Sequence, residues 1–188
     1  MKITLLVGTT IGSKTNIALQ LMKQYVEKQF AEDDVQLLSL ADYQIQFSDG
    51  RNYLEYEGDT GYVAQELMDS DVIIIGTPIF QASLPGTLKN IFDLLPQQAL
   101  LGKVVGIIVT AGSGKHYLVA EQQLKPILSY MKAQLVQTYV FIEEKDFQQK
   151  TIVNDDVLFR MERLAEDVKM QVDAQLAIQA KKDAEYGF

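Results

Sequence analysis

Three stretches of this sequence hold residue types that could bind a ligand rather than merely connect elements. The first is GTTIGSKTN (residues 8–16), after the apolar run ITLLV (residues 3–7) and before helical spacing at Ile17, Leu21, Tyr25 and Lys28. Hydroxyls of Thr9, Ser13 and Thr15, with Lys14 beside them, could meet a phosphate at a helix start, where backbone N–H groups face an anion. The run nearly matches the phosphate-loop pattern G-x-x-x-x-G-K-[ST], but Ser13 stands where the second glycine belongs. The strand DVIIIG (residues 71–76) also lacks the aspartate that would hold Mg²⁺ in a nucleotide hydrolase. A hydrolase is thereby disfavoured, and a merely polar turn stays open.

The second stretch is Thr77–Gln81, TPIFQ, between that strand and a helix with apolar residues at Leu84, Leu88, Ile91 and Leu95. Ser83 is the expected cap of this helix, with Pro85 in its first turn. A proline, an aromatic and an amide at the carboxyl end of a buried strand mark the place where open α/β sheets hold ligands. Ordinary packing of Pro78 and Phe80 is the alternative. The third stretch is TAGSGKH (residues 110–116), whose glycines would let backbone approach a flat ligand and whose N–H groups could donate to ring oxygens. His116, the only histidine, is assigned no chemistry.

The elements that must position these loops alternate between strand and helix. Strands are expected at 3–7, 35–40, 71–76, 103–109 and 135–142, with helices after the first, third and fourth and a crossover helix over 61–70. Residues 117–133 should form a helix kinked at Pro126. Residues 143–150 read as a polar loop. Residues 42–61 form a long excursion with Tyr43, Phe47, Tyr53 and Tyr56, either a lid, a partner surface or a plain loop. A long helix from about 154 to 181 carries Met161, Leu164, Val168 and Val172 on one face, which suggests an oligomer contact. The fold class is therefore α/β, a doubly wound five-stranded parallel sheet in the order 2-1-3-4-5 with helices on both faces. All three loops then open on one edge. A phosphate, a linker and a flat ring together describe FMN.

Composition narrows the function. The 188 residues suit one domain over 1–188. Net charge is −8 with no basic run, which argues against nucleic acid and anionic membrane as partners. Without cysteine there is neither disulfide nor thiol nucleophile, and a cytoplasmic location is the expectation. No apolar run approaches the roughly 20 residues of a bilayer crossing, and no signal-type segment precedes the first strand.

The segments TPIFQASLPGTLKNIFDLLP (77–96), TAGSGKH (110–116) and LKPILSYMKA (124–133) resemble the NADPH-dependent FMN reductase family of flavodoxin-like proteins. The likeness is nearest to the flavin reductases of alkanesulfonate monooxygenase systems. It implies a flavodoxin-like fold and hydride transfer from NADPH or NADH to FMN, with free flavin or a quinone as acceptor. It also implies a homodimer or homotetramer and the following positions: Thr9, Ser13, Lys14 and Thr15 at the phosphate, Pro78, Ile79, Phe80 and Gln81 against ribityl and ring, and Thr110, Gly112 and Ser113 against the ring. A flavin-dependent monooxygenase is an implied partner. The arginine of the family's first loop has no counterpart, Ile11 lying in its vicinity. Gln122 occupies the place of an aromatic residue that helps govern flavin release in the alkanesulfonate type. A flavodoxin-like FMN electron carrier without NAD(P)H activity is the alternative reading.

Overall fold

The computed structural model describes residues 1–186. Apolar, β-branched runs form the parallel strands β1 (Lys2–Val7), β2 (Asp34–Ser39), β3 (Val72–Pro78) and β4 (Val104–Ala111). All of β3 is buried, as expected of a central strand covered on both faces. The fifth position is split between β5 (Gln134–Leu135) and β6 (Val140–Glu143), which both pair with β4. The order β2-β1-β3-β4-β5 is the flavodoxin-like one.

Helices α1 (Lys14–Gln29) and α5 (Asp155–Tyr186) bury one sheet face. The other is covered by α2 (Gly58–Asp69), α3 (Gly86–Leu94) and α4 (Lys125–Tyr130). Glycines set how closely helices approach. A Cβ at Gly76 would lie 2.7 Å from Leu19 of α1, and one at Gly106 3.3 Å from Val168 of α5.

Several expectations are corrected. The fifth strand is not continuous: Leu135 pairs with Val105 but Val140 pairs with Ile108, so two extra residues intervene. Within that bulge the Gln137 carbonyl accepts from Lys125 Nζ at 2.7 Å, and the Tyr139 hydroxyl donates to the Tyr117 carbonyl. Burial pushes the Tyr139 phenol upward, so it stays a donor.

Residues 117–133 are not one kinked helix either. A wide π turn over Ala120–Leu124 precedes α4, and Pro126 sits in the first turn of α4. Proline has no N–H to close an i→i−4 bond, and the wide turn absorbs that loss. The polar loop 143–150 contains a 3₁₀ turn, Glu144–Asp146, followed by the hairpin of β7 (Phe147–Gln148) and β8 (Thr151–Ile152). Ser83 does not cap α3: Pro85 occupies the cap position, and Ser83 Oγ donates to Gln123 Oε1 at 2.6 Å.

The excursion after β2 is pinned to α3 by one buried amide. Asn90 Oδ1 accepts from Ser48 N–H at 2.9 Å, and its Nδ2 donates to the Gln46 carbonyl at 2.8 Å. Farther along, the Tyr56 hydroxyl donates to Asp49 at 2.8 Å, and the Arg51 guanidinium lies 4.7 Å from the Tyr56 ring centroid. Arg51 first, then Tyr56, hold the Asp49 carboxyl well below the usual carboxylate range.

The α5 stripe is also not free for assembly. Met161, Leu164, Val168 and Val172 are at most 4% exposed, packed against this chain's own sheet and α1. The exposed apolar residues of α5 are others, among them Phe159, Met170, Leu176 and Ile178. Val168→Glu should therefore cost more than about 4 kcal/mol by placing an unpaired carboxylate in the core. Urea unfolding followed by circular dichroism should show a collapsed or absent transition. A variant that stays fully folded and merely loses mass would return the stripe to an interface.

Candidate functional site

The loops after β1, β3 and β4 meet at the carboxyl edge of the sheet around a cleft of about 330 Å³. That volume falls in the range of about 300–1,000 Å³ usual for small-molecule sites. Ser13, Lys14, Thr15, Pro78, Ile79, Phe80, Thr110 and Gly112 line it, so eight of the expected residues come together.

At one end stands the start of α1. Ser13 occupies its cap position, but no side chain accepts a capping hydrogen bond there. The first N–H groups of a helix have no intrahelical partner, so this end offers donors and positive dipole to an anion. The hydroxyls are arranged differently from expectation. Thr9 is buried and lies outside the cleft lining. Its Oγ1 donates to the Ile11 carbonyl at 2.9 Å and accepts from Ile11 N–H at 3.2 Å. Thr15 Oγ1 pairs with Thr110 Oγ1 at 2.7 Å, both residues buried, which ties α1 to the end of β4. Of the three hydroxyls, only that of Ser13 belongs to an exposed residue. Lys14 forms an ion pair with Glu144, and its Nζ lies 5.8 Å from the Phe147 ring centroid.

At the other end, Ile79 N–H donates to the Thr110 carbonyl at 3.0 Å, which joins the second loop to the third. Phe80 and Ser83 exchange two backbone hydrogen bonds of 2.9 and 3.0 Å around Gln81 and Ala82. Gln81 and Ala82 have φ of 49° and 59°, the left-handed pair that a type I′ turn requires and that Asn-Gly normally supplies. The π turn braces this hairpin through Gln123, which contacts both Ser83 and the Ala82 carbonyl. Gln81 is the exposed apex and does not line the cleft. Ser113 is likewise outside the lining, at the start of the 3₁₀ turn Gly114–His116. A Cβ built at Gly112 would meet nothing within 4 Å, so space lies open over the third loop. Gln122 falls within the π turn.

Sequence reasoning missed Ile11, Gly12, Ala111 and Glu144 among the lining residues. Glu144 had a readable signal: it follows Glu143, the last residue of β6, at the strand edge where ligands bind in such sheets. Ile11 and Gly12 had only their position between Thr9 and Ser13.

An anion-attracting helix start, a cleft joining it to a proline–aromatic segment, and open space over a glycine loop fit a phosphate, linker and flat ring. The profile of the NADPH-dependent FMN reductase family matches residues 1–148. The chain belongs to that family. Over 169 residues it is 41% identical to an NAD(P)H-dependent FAD/FMN reductase of Geobacillus thermodenitrificans, covering 89% of this chain and 91% of that protein. It is 26% identical over 156 residues to the NADH-dependent FMN reductase SfnF of Pseudomonas putida, covering 83% and 84%. The solved structure of an oxidoreductase from Corynebacterium diphtheriae shares the fold, with a TM-score of 0.74 at 23% identity over 93% of this chain and 98% of that one.

The Phe80–Ser83 hairpin gives this family member a measurable strain. A non-glycine residue held in the left-handed region costs about 1–2 kcal/mol, so Ala82→Gly should raise stability by about 1 kcal/mol. The urea midpoint should rise with an unchanged slope. No rise would mean that contacts of the Ala82 methyl offset the strain.

Proposed function

We propose that this protein is an NAD(P)H:FMN reductase built as one FMN-binding unit over residues 1–188. The carrying observation is the convergence of three strand-end loops on one cleft that has an anion-attracting helix start at one end and Pro78–Phe80 with Thr110–Gly112 at the other. The family match supports a reductase over an electron carrier without NAD(P)H activity. It equally disfavours a phosphate-loop hydrolase, whose second loop glycine is Ser13 here.

When bound, FMN would supply the redox chemistry between NAD(P)H and an acceptor such as free flavin or a quinone. The chain's residues supply placement. Backbone N–H groups at the start of α1 hold the phosphate, with Ser13 Oγ as an added donor. Pro78, Ile79 and Phe80 flank the ribityl and ring, and Gly112 leaves room for the ring and a nicotinamide to stack. Backbone N–H groups of the third loop would donate to the ring. Thr9 fixes the first loop, Thr15 and Thr110 tie α1 to β4 from within the cleft lining, and Gln81 and Ser113 act from the rim. No side chain has to serve as acid, base or nucleophile.

Partners follow from the same reading. An exchangeable flavin would serve a flavin-dependent monooxygenase. We retain a homodimer or homotetramer, supported by exposed Leu118 and by Tyr130 beside a 550 Å³ groove with Phe92, Ile127 and Met131, not by the buried stripe of α5. Among the described residues no helix is long and apolar enough to cross a membrane. The cytoplasm is the proposed location, on the cysteine-free composition.

Purified protein should oxidise NADH or NADPH when FMN is supplied. Phe80→Ala should weaken flavin binding and turnover together by about 5- to 150-fold, the range for losing an aromatic contact with a ring. The shape of the pH profile should be unchanged, because no titrating group is removed. His116→Ala, outside the cleft lining, should change turnover far less. Steady-state kinetics across pH with both substrates varied tests the pair. Loss of activity in His116→Ala with Phe80→Ala intact would move the chemistry to the end of the third loop.

A further inference from the structure

Glu144 is a carboxylate built into the anion end of the cleft, and nothing in the proposed chemistry uses it. It lines the cleft beside Ser13 and Lys14 and forms an ion pair with the Lys14 ammonium. An anionic side chain opposes a phosphate there twice, by repelling it and by occupying the one cation on the lining. Its side chain is 64% exposed, but the turn that carries it is braced. Asp146, 5% exposed, accepts from Glu143 N–H at 2.8 Å and from Asn154 Nδ2 at 2.7 Å. The Glu143 side chain closes the reciprocal capping box of this turn. Asn154 in turn accepts from Asp156 N–H at the start of α5. The turn carrying Glu144 is thus fixed to the rest of the fold from behind. Phe147, one step further on, lies against the same Lys14 ammonium, so one braced segment holds Lys14 from two sides.

We infer that Glu144 is a specificity-determining residue that weakens the grip on the FMN phosphate, making FMN an exchangeable substrate rather than a retained group. This rests on the reading of the cleft as the FMN site. Glu144 pairs with the Lys14 ammonium that a phosphate would also use. A bound phosphate must displace it or share Lys14 with it. A flavin without the phosphate meets no such competitor. The residue therefore acts on the difference between FMN and riboflavin and leaves ring recognition alone.

The test is equilibrium binding of FMN and of riboflavin, followed by flavin fluorescence, with release of FMN followed by stopped flow. Glu144→Gln should tighten FMN by about fivefold, the upper scale for one solvent-screened surface charge. Riboflavin affinity should stay within about twofold, and FMN release should slow in proportion. In a Lys14→Gln background the same substitution should gain clearly less, because the occupied cation is gone. Equal tightening of both flavins, or no tightening of FMN, overturns the inference while leaving the FMN site in place. A full gain in the Lys14→Gln background overturns the part played by Lys14. Wild-type protein that binds neither flavin overturns the reading of the cleft itself, a result distinct from the other two.

Discussion

The 2.8 Å hydrogen bond from Gly8 N–H to the Gly76 carbonyl is the contact on which the cleft depends. It joins the ends of β1 and β3, the point from which successive strands are added in opposite directions and a crevice must open. Packing at both positions favours glycine. A Cβ at Gly8 would come within 3.0 Å of the Gly76 oxygen and of the Leu88 methyls, and one at Gly76 would meet Leu19. Leu19 belongs to α1 on one sheet face and Leu88 to α3 on the other. Two helices therefore close on this junction from opposite sides, and the loops leaving it have little freedom in direction. The start of α1 is placed over the crevice as a consequence of packing, before any ligand is considered.

What could be read from the residues follows from how local the determining forces are. The strands β1 to β4 and helix α1 were legible because burial on both faces demands unbroken apolar runs, and one-sided burial demands helical spacing. The order of the sheet was legible because crossover handedness and loop placement leave few options. The split of the fifth strand was not, since it depends on the Lys125 ammonium and the Tyr139 hydroxyl reaching carbonyls far along the chain. The role of the α5 stripe was misjudged for a related reason. An apolar face states that something covers it, but only the tertiary arrangement shows that this chain's own sheet does so.

At the cleft the same division holds. Residue types located eight of the lining positions, because glycines, hydroxyls and a proline–aromatic pair at strand ends have few structural uses. They could not show which hydroxyls are spent. Thr9 is committed to its own loop and Thr15 to Thr110, bonds that stiffen the first loop and bind its helix to β4. Legibility therefore ends where side chains choose between neighbours.

That choice has an energetic consequence for the proposed ligand. Micromolar binding requires about 8 kcal/mol, whereas a charge at a helix start contributes about 0.3–2 kcal/mol. On the proposed reading of the cleft, the helix start therefore cannot supply the larger part. The ring end must do so, through apolar contact with Ile79 and Phe80 and through backbone donors in the third loop. This is where the chain also holds its strain, in the left-handed Gln81 and Ala82 of a hairpin braced by Gln123. A turn kept in an unfavourable conformation by neighbours on another element holds its aromatic in one place without help from a ligand. Rigid presentation of Phe80 lowers the ordering cost of binding, so modest contact area can still give useful affinity. On the proposed reading, such a site would grip the ring, which all flavins share, more firmly than the phosphate, which they do not.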